Sequence, residues 1–224
     1  YVDETGNLHV DLREGEADRT LFVAHMDTVH KDDGINQFKR MTNGMWLADG
    51  DVLGADDGAG VALLVHLAMA KVPGYYLFTV GEERGGIGAR AAVKATPERW
   101  QQFDRAIAFD RRGVDSVITE QAGGMCASNE FAEALALALM ADESLMYSPD
   151  PTGVYTDTAE FTDLIAECTN ISVGYDHEHT QKESLDTYHF AALAEAVLKV
   201  KWDELPVTRK PGDNGWDYNT ANTV

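Results

Sequence analysis

Short apolar runs recur along the chain, separated by turns that are rich in glycine and charged residues. A short continuous apolar run is typical of a strand that is covered on both faces of a sheet. The runs that predict such strands are residues 20–24, 75–80, 106–109, 116–119 and 170–173. Residues 8–12 and 45–48 predict two further, shorter strands. The chain therefore holds enough strands for one central sheet.

Between these runs, apolar residues recur with helical spacing. The segments with this spacing are residues 59–72, 89–95, 129–140 and 187–200. A further helix is predicted from a cap at Asp157 or Thr158 through residue 164. Residues 30–43 are polar and predict a loop.

Strands that alternate with helices predict an α/β fold, a three-layer sandwich in which helices flank a mixed, largely parallel central sheet. At 224 residues the chain is the size of one domain. We expect that domain to span residues 1–205, followed by an irregular C-terminal tail at residues 206–224. Ligand sites in such sheets form beyond the carboxyl ends of the strands.

The most unusual local feature is a glycine-rich turn, LGADDGAGVALL at residues 53–64, that carries Asp56 and Asp57. Adjacent carboxylates repel, and one of them usually needs a cation or a proton to remain there. A plain helix cap with a solvated neighbour is the structural alternative. We expect Asp57 to support the turn and Asp56 to bind metal.

Other candidate ligands follow the predicted strands. They are His25 after the first buried run, Glu82 and Glu83 after the second, and Asp110 after the third. Carboxylate oxygen and imidazole nitrogen suit divalent cations, and two adjacent cations need a bridging carboxylate. A late histidine would complete the set of ligands.

Two carboxylates near these ligands predict catalytic roles. Glu82 lies beside the candidate ligand Glu83, where a free carboxylate could take a proton from a metal-bound water and pass it to a leaving amine. Asp27 follows His25 by two residues, where it could orient the imidazole through its other nitrogen. Each motif is common alone, and the order of all of them at strand ends is the informative observation.

Charge and cysteine content narrow the possible functions. The formal net charge is −20, which argues against nucleic acid and anionic membranes as partners because such a field repels phosphates. Two cysteines are too few for a disulfide scaffold. The chain has neither a long apolar span nor a signal-peptide pattern, so we expect a cytoplasmic protein. The start without Met is expected of a processed or a truncated chain.

The motifs together resemble the co-catalytic zinc exopeptidase superfamily, which includes leucyl-type aminopeptidases, tripeptidase T, the carboxypeptidase G group and N-acyl amino acid deacylases. The resemblance extends from about His9 to Val200. The motifs that carry it are residues 25–29 (HMDTV), 54–60 (GADDGAG), 81–83 (GEE), 109–110 (FD) and 179–183 (HTQKE).

The resemblance implies a pair of divalent metal ions, zinc with cobalt or manganese as alternatives, since carboxylate and imidazole suit all three. The implied ligands are Asp56 as the bridge, His25 and Asp110 at one ion, and Glu83 and His179 at the other. Glu82 is implied as the general base and then acid, and a cis peptide often follows the bridging aspartate. His177 is the alternative to His179 as the last ligand. His189, in the last helix, is expected to face either the surface or the protein core.

About 65 residues separate Asp110 from Gly174, too few for the lid domain that many relatives insert there. We therefore expect a lid-less aminopeptidase that hydrolyses N-terminal peptide bonds with a water activated by two metal ions. A carboxypeptidase or N-acyl amino acid deacylase with the same site is the first alternative, and a catalytically inactive binding domain is the second. The expected partner is a peptide or acyl amino acid substrate, and the expected state is a monomer or dimer.

Overall fold

A seven-stranded sheet forms the centre of the molecule in the computed structural model, which describes residues 1–32, 34–141 and 143–216. With strands numbered in chain order, the spatial order is β1 (Leu8–Asp11), β5 (Tyr75–Thr79), β2 (Thr20–His25), β6 (Arg105–Arg111), β11 (Glu167–Ser172), β7 (Ser116–Ile118) and β10 (Ser148–Asp150). Four neighbouring strands, β5, β2, β6 and β11, are parallel, while β1 is antiparallel to β5. The predicted mixed, largely parallel sheet is confirmed.

Two smaller sheets lie beside the central one. A four-stranded sheet has the order β12 (Tyr175–Asp176), β13 (Ser184–Asp186), β4 (Met45–Ala48) and β3 (Phe38–Arg40), and a two-stranded sheet joins β8 (Glu120–Gln121) to β9 (Gly124–Met125). The four-stranded sheet ties the segment before the acidic turn to the segment after the late histidines.

The helices are α1 (Ala55–Met69), α2 (Ile87–Ala95), α3 (Pro97–Trp100), α4 (Asn129–Leu139) and α5 (Thr187–Val197), with short 3₁₀ turns at Glu82–Arg84, Asp157–Phe161 and Trp202–Glu204. Helix α1 packs on β2 and β6 and contacts α5, which also contacts α4. The turn Asp157–Phe161 packs on β2, β6 and β11 and contacts α2. Leu21, Phe22 and Val23 of β2 are fully buried, as a continuous apolar run requires.

The register of the central strands sets the level of the candidate ligands. Val23 of β2 pairs with Leu77 of β5 on one side and with Ala108 of β6 on the other. Two residues further along their strands lie His25 and Asp110. Both side chains therefore reach the same edge of the sheet.

Several predicted elements differ from the structure. The predicted loop at residues 30–43 contains β3, an exposed edge strand whose one partly buried apolar side chain, Phe38, packs on Trp46 with ring centroids 4.8 Å apart. Residues 157–161 form a 3₁₀ turn that Thr156 precedes, so the predicted helix to residue 164 and its cap at Asp157 or Thr158 are wrong. An edge strand needs no apolar run, which explains why β3 was not predicted.

Strand ends also shift. Strand β6 continues to Arg111, so Asp110 lies within the strand and not after it. Strand β11 begins at Glu167, three residues before the predicted start. The earlier start was not predicted because the buried residues Glu167 and Thr169 are polar and interrupt the apolar run. In the parts of the chain that the structure describes, no helix is long and apolar enough to cross a bilayer. Cys126 and Cys168 are buried free thiols.

The C-terminal segment is irregular but firmly attached. Residues 206–216 contain no helix or strand, and residues 217–224 of the predicted tail lie outside the described residues. Arg209 is buried, and its guanidinium donates to the carbonyls of Thr162, Ile165 and Ala166. The carboxylate of Glu167 accepts the backbone N–H of Arg209 at 3.0 Å. The domain boundary at residue 205 stays a prediction, and these contacts extend the folded part beyond it.

We predict that Arg209→Ala lowers the free energy of unfolding by about 3 kcal/mol, because several buried carbonyls lose a charged donor at once. Urea denaturation followed by circular dichroism measures the change. Lys210→Ala, at an exposed neighbouring position, is the matched control and should leave the midpoint unchanged. A midpoint of Arg209→Ala equal to that of the wild type would show that these Arg209 contacts contribute nothing to stability.

Candidate metal centre

The candidate ligands come from separate segments that meet at the carboxyl end of the parallel strands. His25 is the last residue of β2, and Asp110 is the penultimate residue of β6. Glu83 lies in the 3₁₀ turn that follows β5, and Asp56 lies in the first turn of α1. His179 belongs to the loop between β12 and β13. The structure brings all five predicted ligands together.

The carboxylate of Asp56 is at the centre of this group. Its Oδ1 is 3.1 Å from His25 Nε2, which is itself 3.6 Å from Asp110 Oδ1. Its Oδ2 is 2.9 Å from His179 Nε2, which is 2.8 Å from Glu83 Oε1. Each oxygen of Asp56 thus faces its own pair of one imidazole and one carboxylate, which is the arrangement of a bridging ligand.

The orientation of His25 is set by the backbone of Asp27. His25 Nδ1 donates to the carbonyl of Asp27 at 2.9 Å, which leaves Nε2 as the nitrogen that faces Asp56. The carboxylate of Asp27 is 3.8 Å from Nδ1 and instead accepts backbone N–H groups of Gly81, Glu82 and Glu83. Sequence reasoning expected the carboxylate to orient the imidazole. The structure gives that contact to the main chain, and the carboxylate fixes the Glu82–Arg84 turn.

Asp110 is held by three neighbours. Thr156 Oγ1 donates to its Oδ2 at 2.6 Å, and the Tyr175 hydroxyl donates to its Oδ1 at 3.1 Å. Its backbone N–H donates to the side chain of Asn170 at 2.8 Å. Burial opposes ionisation, but the nearby His25 and the hydrogen bond from Thr156 keep the pKa of Asp110 below its usual value. The carboxylate is therefore positioned before any ion arrives.

Asp57 supports the turn, as expected. Its Oδ2 accepts the backbone N–H of His25 and its Oδ1 that of Gly60, both at 3.1 Å. A side chain at Gly60 would collide with this carboxylate and come within 2.7 Å of the Phe109 carbonyl, so glycine is needed there. The peptide bond between Asp56 and Asp57 is cis, as the resemblance implies. Since both oxygens of Asp57 have backbone donors, Asp56 is the better candidate ligand.

Glu183 is the important residue that sequence reasoning left without a role. Its buried carboxylate accepts four backbone N–H groups at 2.7–3.0 Å. The donors are consecutive: Leu53, Gly54, Ala55 and Asp56. The only signal in the sequence was its place in the HTQKE segment, four residues after His179.

His177, the rival of His179, and His189 both lie elsewhere. His177 is 63% exposed and has its Nε2 3.9 Å from Asp176 Oδ2. His189 Nε2 is 2.9 Å from the Tyr147 hydroxyl. Of the late histidines, His179 alone lies within 3 Å of the Asp56 and Glu83 carboxylates in the described chain.

Glu82 faces a cavity of about 280 Å³ that opens beside this group. Its carboxylate accepts no hydrogen bond from the described residues, although its backbone N–H is held by Asp27. Burial and the neighbouring Asp110 raise the pKa of Glu82 to about 8. The cavity is also lined by Gln121, Val154 and Tyr155.

The residues fit a pair of divalent ions. Burial, to which the nearby Asp110 carboxylate adds, raises the pKa of Asp56 to about 7. A divalent cation at this place would favour the ionised form of Asp56. Glu83 Oε1 is buried and accepts no hydrogen bond within the described chain, although His179 is near. The donor atoms of His25, Asp56 and Glu83 lie within 4.8 Å of one another. Such oxygen and nitrogen ligands suit Zn²⁺, Co²⁺ or Mn²⁺.

Comparison with solved structures supports the fold. The chain is similar to the aminopeptidase PepT of Bacillus cereus, with a TM-score of 0.67 and 17% identity over 91% of this chain and 88% of that one. It is also similar to a tripeptidase of Staphylococcus aureus, with a TM-score of 0.69 and 16% identity over 89% and 86%. The TET1 peptidase of Pyrococcus horikoshii gives 0.69 and 17% over 89% and 88%. At these identities the likeness concerns the fold alone.

Sequence comparison identifies the family. Over 95 residues the chain is 37% identical to the uncharacterised protein YqjE of Bacillus subtilis, an alignment that covers 38% of this chain. That alignment spans about a quarter (25%) of the relative's length. The family model of peptidase family M28 matches residues 7–200, which includes every predicted ligand. The chain therefore belongs to peptidase family M28.

Proposed function

We propose that the protein is a metal-dependent aminopeptidase that removes N-terminal residues from peptides with a pair of divalent ions, most suitably Zn²⁺. The observation that carries this proposal is the Asp56 carboxylate, whose two oxygens face two separate imidazole–carboxylate pairs. Membership of peptidase family M28 supports the hydrolysis of peptide bonds as the general reaction. Two structural relatives are described as an aminopeptidase and a tripeptidase, which agrees with exopeptidase action.

The chain would hold the ions through neutral imidazole and negatively charged carboxylate ligands. His25 and Asp110 would hold one ion, Glu83 and His179 the other, and Asp56 both. When bound, the ions supply positive charge that acidifies water and polarises the amide carbonyl. Tyr175 and Thr156 keep the Asp110 carboxylate oriented toward the site.

Glu82 moves the proton in this proposal. Its carboxylate lines the same cavity as Asp56 and Asp110 and is free of hydrogen bonds from the described chain. It takes a proton from the attacking water and passes it to the leaving amine, which must be protonated to depart. Asp27 acts as a positioning residue, because its carboxylate fixes the backbone of the turn that carries Glu82.

We also propose that the catalytic domain acts without a lid domain, as a monomer or dimer. The short connection of about 65 residues between Asp110 and Gly174 supports the absence of a lid. The Pyrococcus horikoshii relative is described as assembling into a tetrahedron or a large octahedral shell, which concerns that protein. Light scattering after size-exclusion chromatography measures the mass of the assembly.

The substrate class is tested with matched anilides. We predict that the Zn²⁺-loaded protein hydrolyses alanine p-nitroanilide and that N-acetylalanine p-nitroanilide is cleaved at least about 100-fold more slowly. Release of p-nitroaniline is measured by absorbance. Release of free alanine from N-acetylalanine, with no hydrolysis of alanine p-nitroanilide, would reject the aminopeptidase proposal in favour of a deacylase. No hydrolysis of any of the three compounds, with metal bound, would favour a binding domain.

The role of Glu82 is tested by Glu82→Gln. We predict that kcat falls about 10²- to 10⁴-fold, because an amide cannot shuttle the proton. Bound zinc, measured by mass spectrometry, should stay at the wild-type value, since Glu82 is not a proposed ligand. The exposed Glu98 offers the matched control, Glu98→Gln, with unchanged kcat. A Glu82→Gln protein with wild-type kcat would remove Glu82 from the reaction.

The choice of the late histidine is tested by metal content. We predict that His179→Ala binds about one zinc ion per chain where the wild type binds two, because one ion loses its imidazole. His177→Ala is the control and should keep both ions, since that side chain is exposed. The reverse result would exchange the roles of the two histidines.

A further inference from the structure

Arg111 brings a partly unused cation to the wall of the cavity beside the metal centre. It directly follows the proposed ligand Asp110 and lines the same cavity as Glu82. Its Nη2 donates to the carbonyl oxygen of Thr152 at 3.3 Å and to Thr152 Oγ1 at 3.1 Å. Neither Nε nor Nη1 has an acceptor among the described residues. The proposed reaction so far gives this guanidinium no role.

Arg209 shows how the same chain binds an arginine that only supports the fold. Each of its three guanidinium nitrogens donates to a backbone carbonyl, with hydrogen bonds of 2.6–3.2 Å. Arg111, in contrast, uses one nitrogen of three. Its Nε is enclosed by protein, whereas Nη1 is accessible, and 18% of the side chain is exposed. Nη1 is therefore the donor that a ligand in the cavity can reach.

Neighbouring segments hold the guanidinium in this place. Asp150 Oδ2 lies 3.6 Å from Arg111 Nη2, beyond hydrogen-bonding distance, and both oxygens of Asp150 have closer donors at 2.7 and 2.8 Å. A side chain at Gly153 would collide with the carbonyl of Glu120, so the segment that carries Thr152 packs directly on strand β8. Asp150 and Thr152 thus fix the Nη2 end of the guanidinium and leave Nη1 free.

The other charges of the cavity have partners, either present or proposed. Arg112 Nη1 is 3.3 Å from Glu178 Oε1. Two divalent ions would offset the four carboxylates of the centre, which are those of Asp56, Glu82, Glu83 and Asp110. Arg111 is always ionised, and Asp150 offsets its charge only in part. An anionic group at Nη1 would therefore meet a cation with unused hydrogen-bonding capacity.

The place of Arg111 identifies the part of the substrate that it meets. In an aminopeptidase substrate the scissile carbonyl and the side chain of the N-terminal residue are attached to the same Cα atom. With the carbonyl at the ions, that side chain begins one carbon atom from the metal ligands, which is the neighbourhood of Asp110 and Arg111. The cavity of about 280 Å³ has room for such a side chain, and Ile118 and Val154 in its wall can pack against methylene groups.

We propose that Arg111 is a specificity-determining residue that binds the side-chain carboxylate of an N-terminal glutamate or aspartate. The assignment rests on the proposed aminopeptidase function and names the preferred substrates as peptides with an acidic first residue. A guanidinium forms charge-assisted hydrogen bonds with a carboxylate, and these are stronger than its bonds with a neutral amide. Glutamine and asparagine have the shapes of the two acids without the charge, so they should bind more weakly.

The kinetic test uses p-nitroanilides of equal shape and different charge, with Zn²⁺ bound. One pair is the α-p-nitroanilides of glutamate and glutamine, and the other is those of aspartate and asparagine. We expect kcat/KM to be about 10- to 100-fold higher for the acid in at least one pair, mainly through KM, because one charge-assisted contact is gained. Equal values within both pairs would overturn the assignment.

Variants then ask whether Arg111 is the source of the preference. Arg111→Gln should reduce the ratio of the two kcat/KM values to near unity, because the cation is lost. Arg111→Lys keeps the charge without the planar fork, so it should lower the ratio by a smaller factor. Arg40→Gln removes the same charge from the exposed strand β3, outside the cavity, and is the control with wild-type kinetics.

A wild-type ratio in Arg111→Gln would contradict the assignment. If that variant does not fold, Arg111→Lys decides, and an undiminished ratio there would contradict it equally.

A binding measurement is independent of turnover and separates two sources of a carboxylate. In a Glu82→Gln background with Zn²⁺ bound, titration calorimetry compares glutamic acid α-amide with glutamine amide, and dialanine with dialanine amide. We expect the added Arg111→Gln change to weaken binding of glutamic acid α-amide about 10-fold or more, and binding of the other three compounds by much less. Weakened binding of dialanine alone would show that Arg111 binds a free C-terminus, which rejects the side-chain assignment.

The failure of this assignment and the failure of the proposed function look different. Turnover of alanine p-nitroanilide without a preference for acidic residues keeps the aminopeptidase and rejects the role of Arg111. If no p-nitroanilide is cleaved, the proposed function falls, and the calorimetry still decides whether Arg111 binds a side-chain carboxylate.

Discussion

The centre depends on one buried carboxylate, that of Glu183. Glu183 accepts the backbone N–H groups of Leu53, Gly54, Ala55 and Asp56, so it fixes the whole turn that carries the proposed bridging ligand. Backbone N–H groups at the start of a helix have no acceptor within the helix. A buried carboxylate there accepts their hydrogen bonds, and the partial positive charge of the helix N-terminus stabilises its negative charge. Because Glu183 also ends the loop that carries His179, one contact sets the distance between two segments of the site.

The central sheet supplies the second constraint. Parallel strands β2 and β6 hold His25 and Asp110 at the same level, and neither can shift along its strand without breaking the register. The remaining proposed ligands come from turns, which the sheet alone would leave mobile. Asp27 fixes the turn of Glu82 and Glu83 through backbone N–H groups, just as Glu183 fixes the turn of Asp56. The central sheet and the turns that carry the other proposed ligands thus meet around Asp56.

The strands that are buried on both faces could be predicted from the sequence. The convergence of the candidate ligands could also be predicted, because these ligands lie at or near the ends of those strands. Strands β2 and β5 carry continuous apolar runs, and the ends of parallel neighbours share one edge. It missed β3, which is exposed, and the start of β11, whose buried Glu167 is polar. The role of Glu183 could not be predicted, because its four donors lie 127–130 residues away and are main-chain groups that any residue type offers.

The acidic residues around the centre fall into two groups, those whose carboxylates accept backbone hydrogen bonds and those whose carboxylates do not. The two groups have different roles. The first group accepts backbone hydrogen bonds with both carboxylate oxygens and so stabilises the local backbone; it comprises Asp27, Asp57 and Glu183. Asp56, Glu83 and Asp110 face imidazoles, while Glu82 faces open space. Carboxylates that already hold the chain cannot also rearrange around ions and substrate without local unfolding. The carboxylates without backbone partners are therefore the ones available for metal and proton.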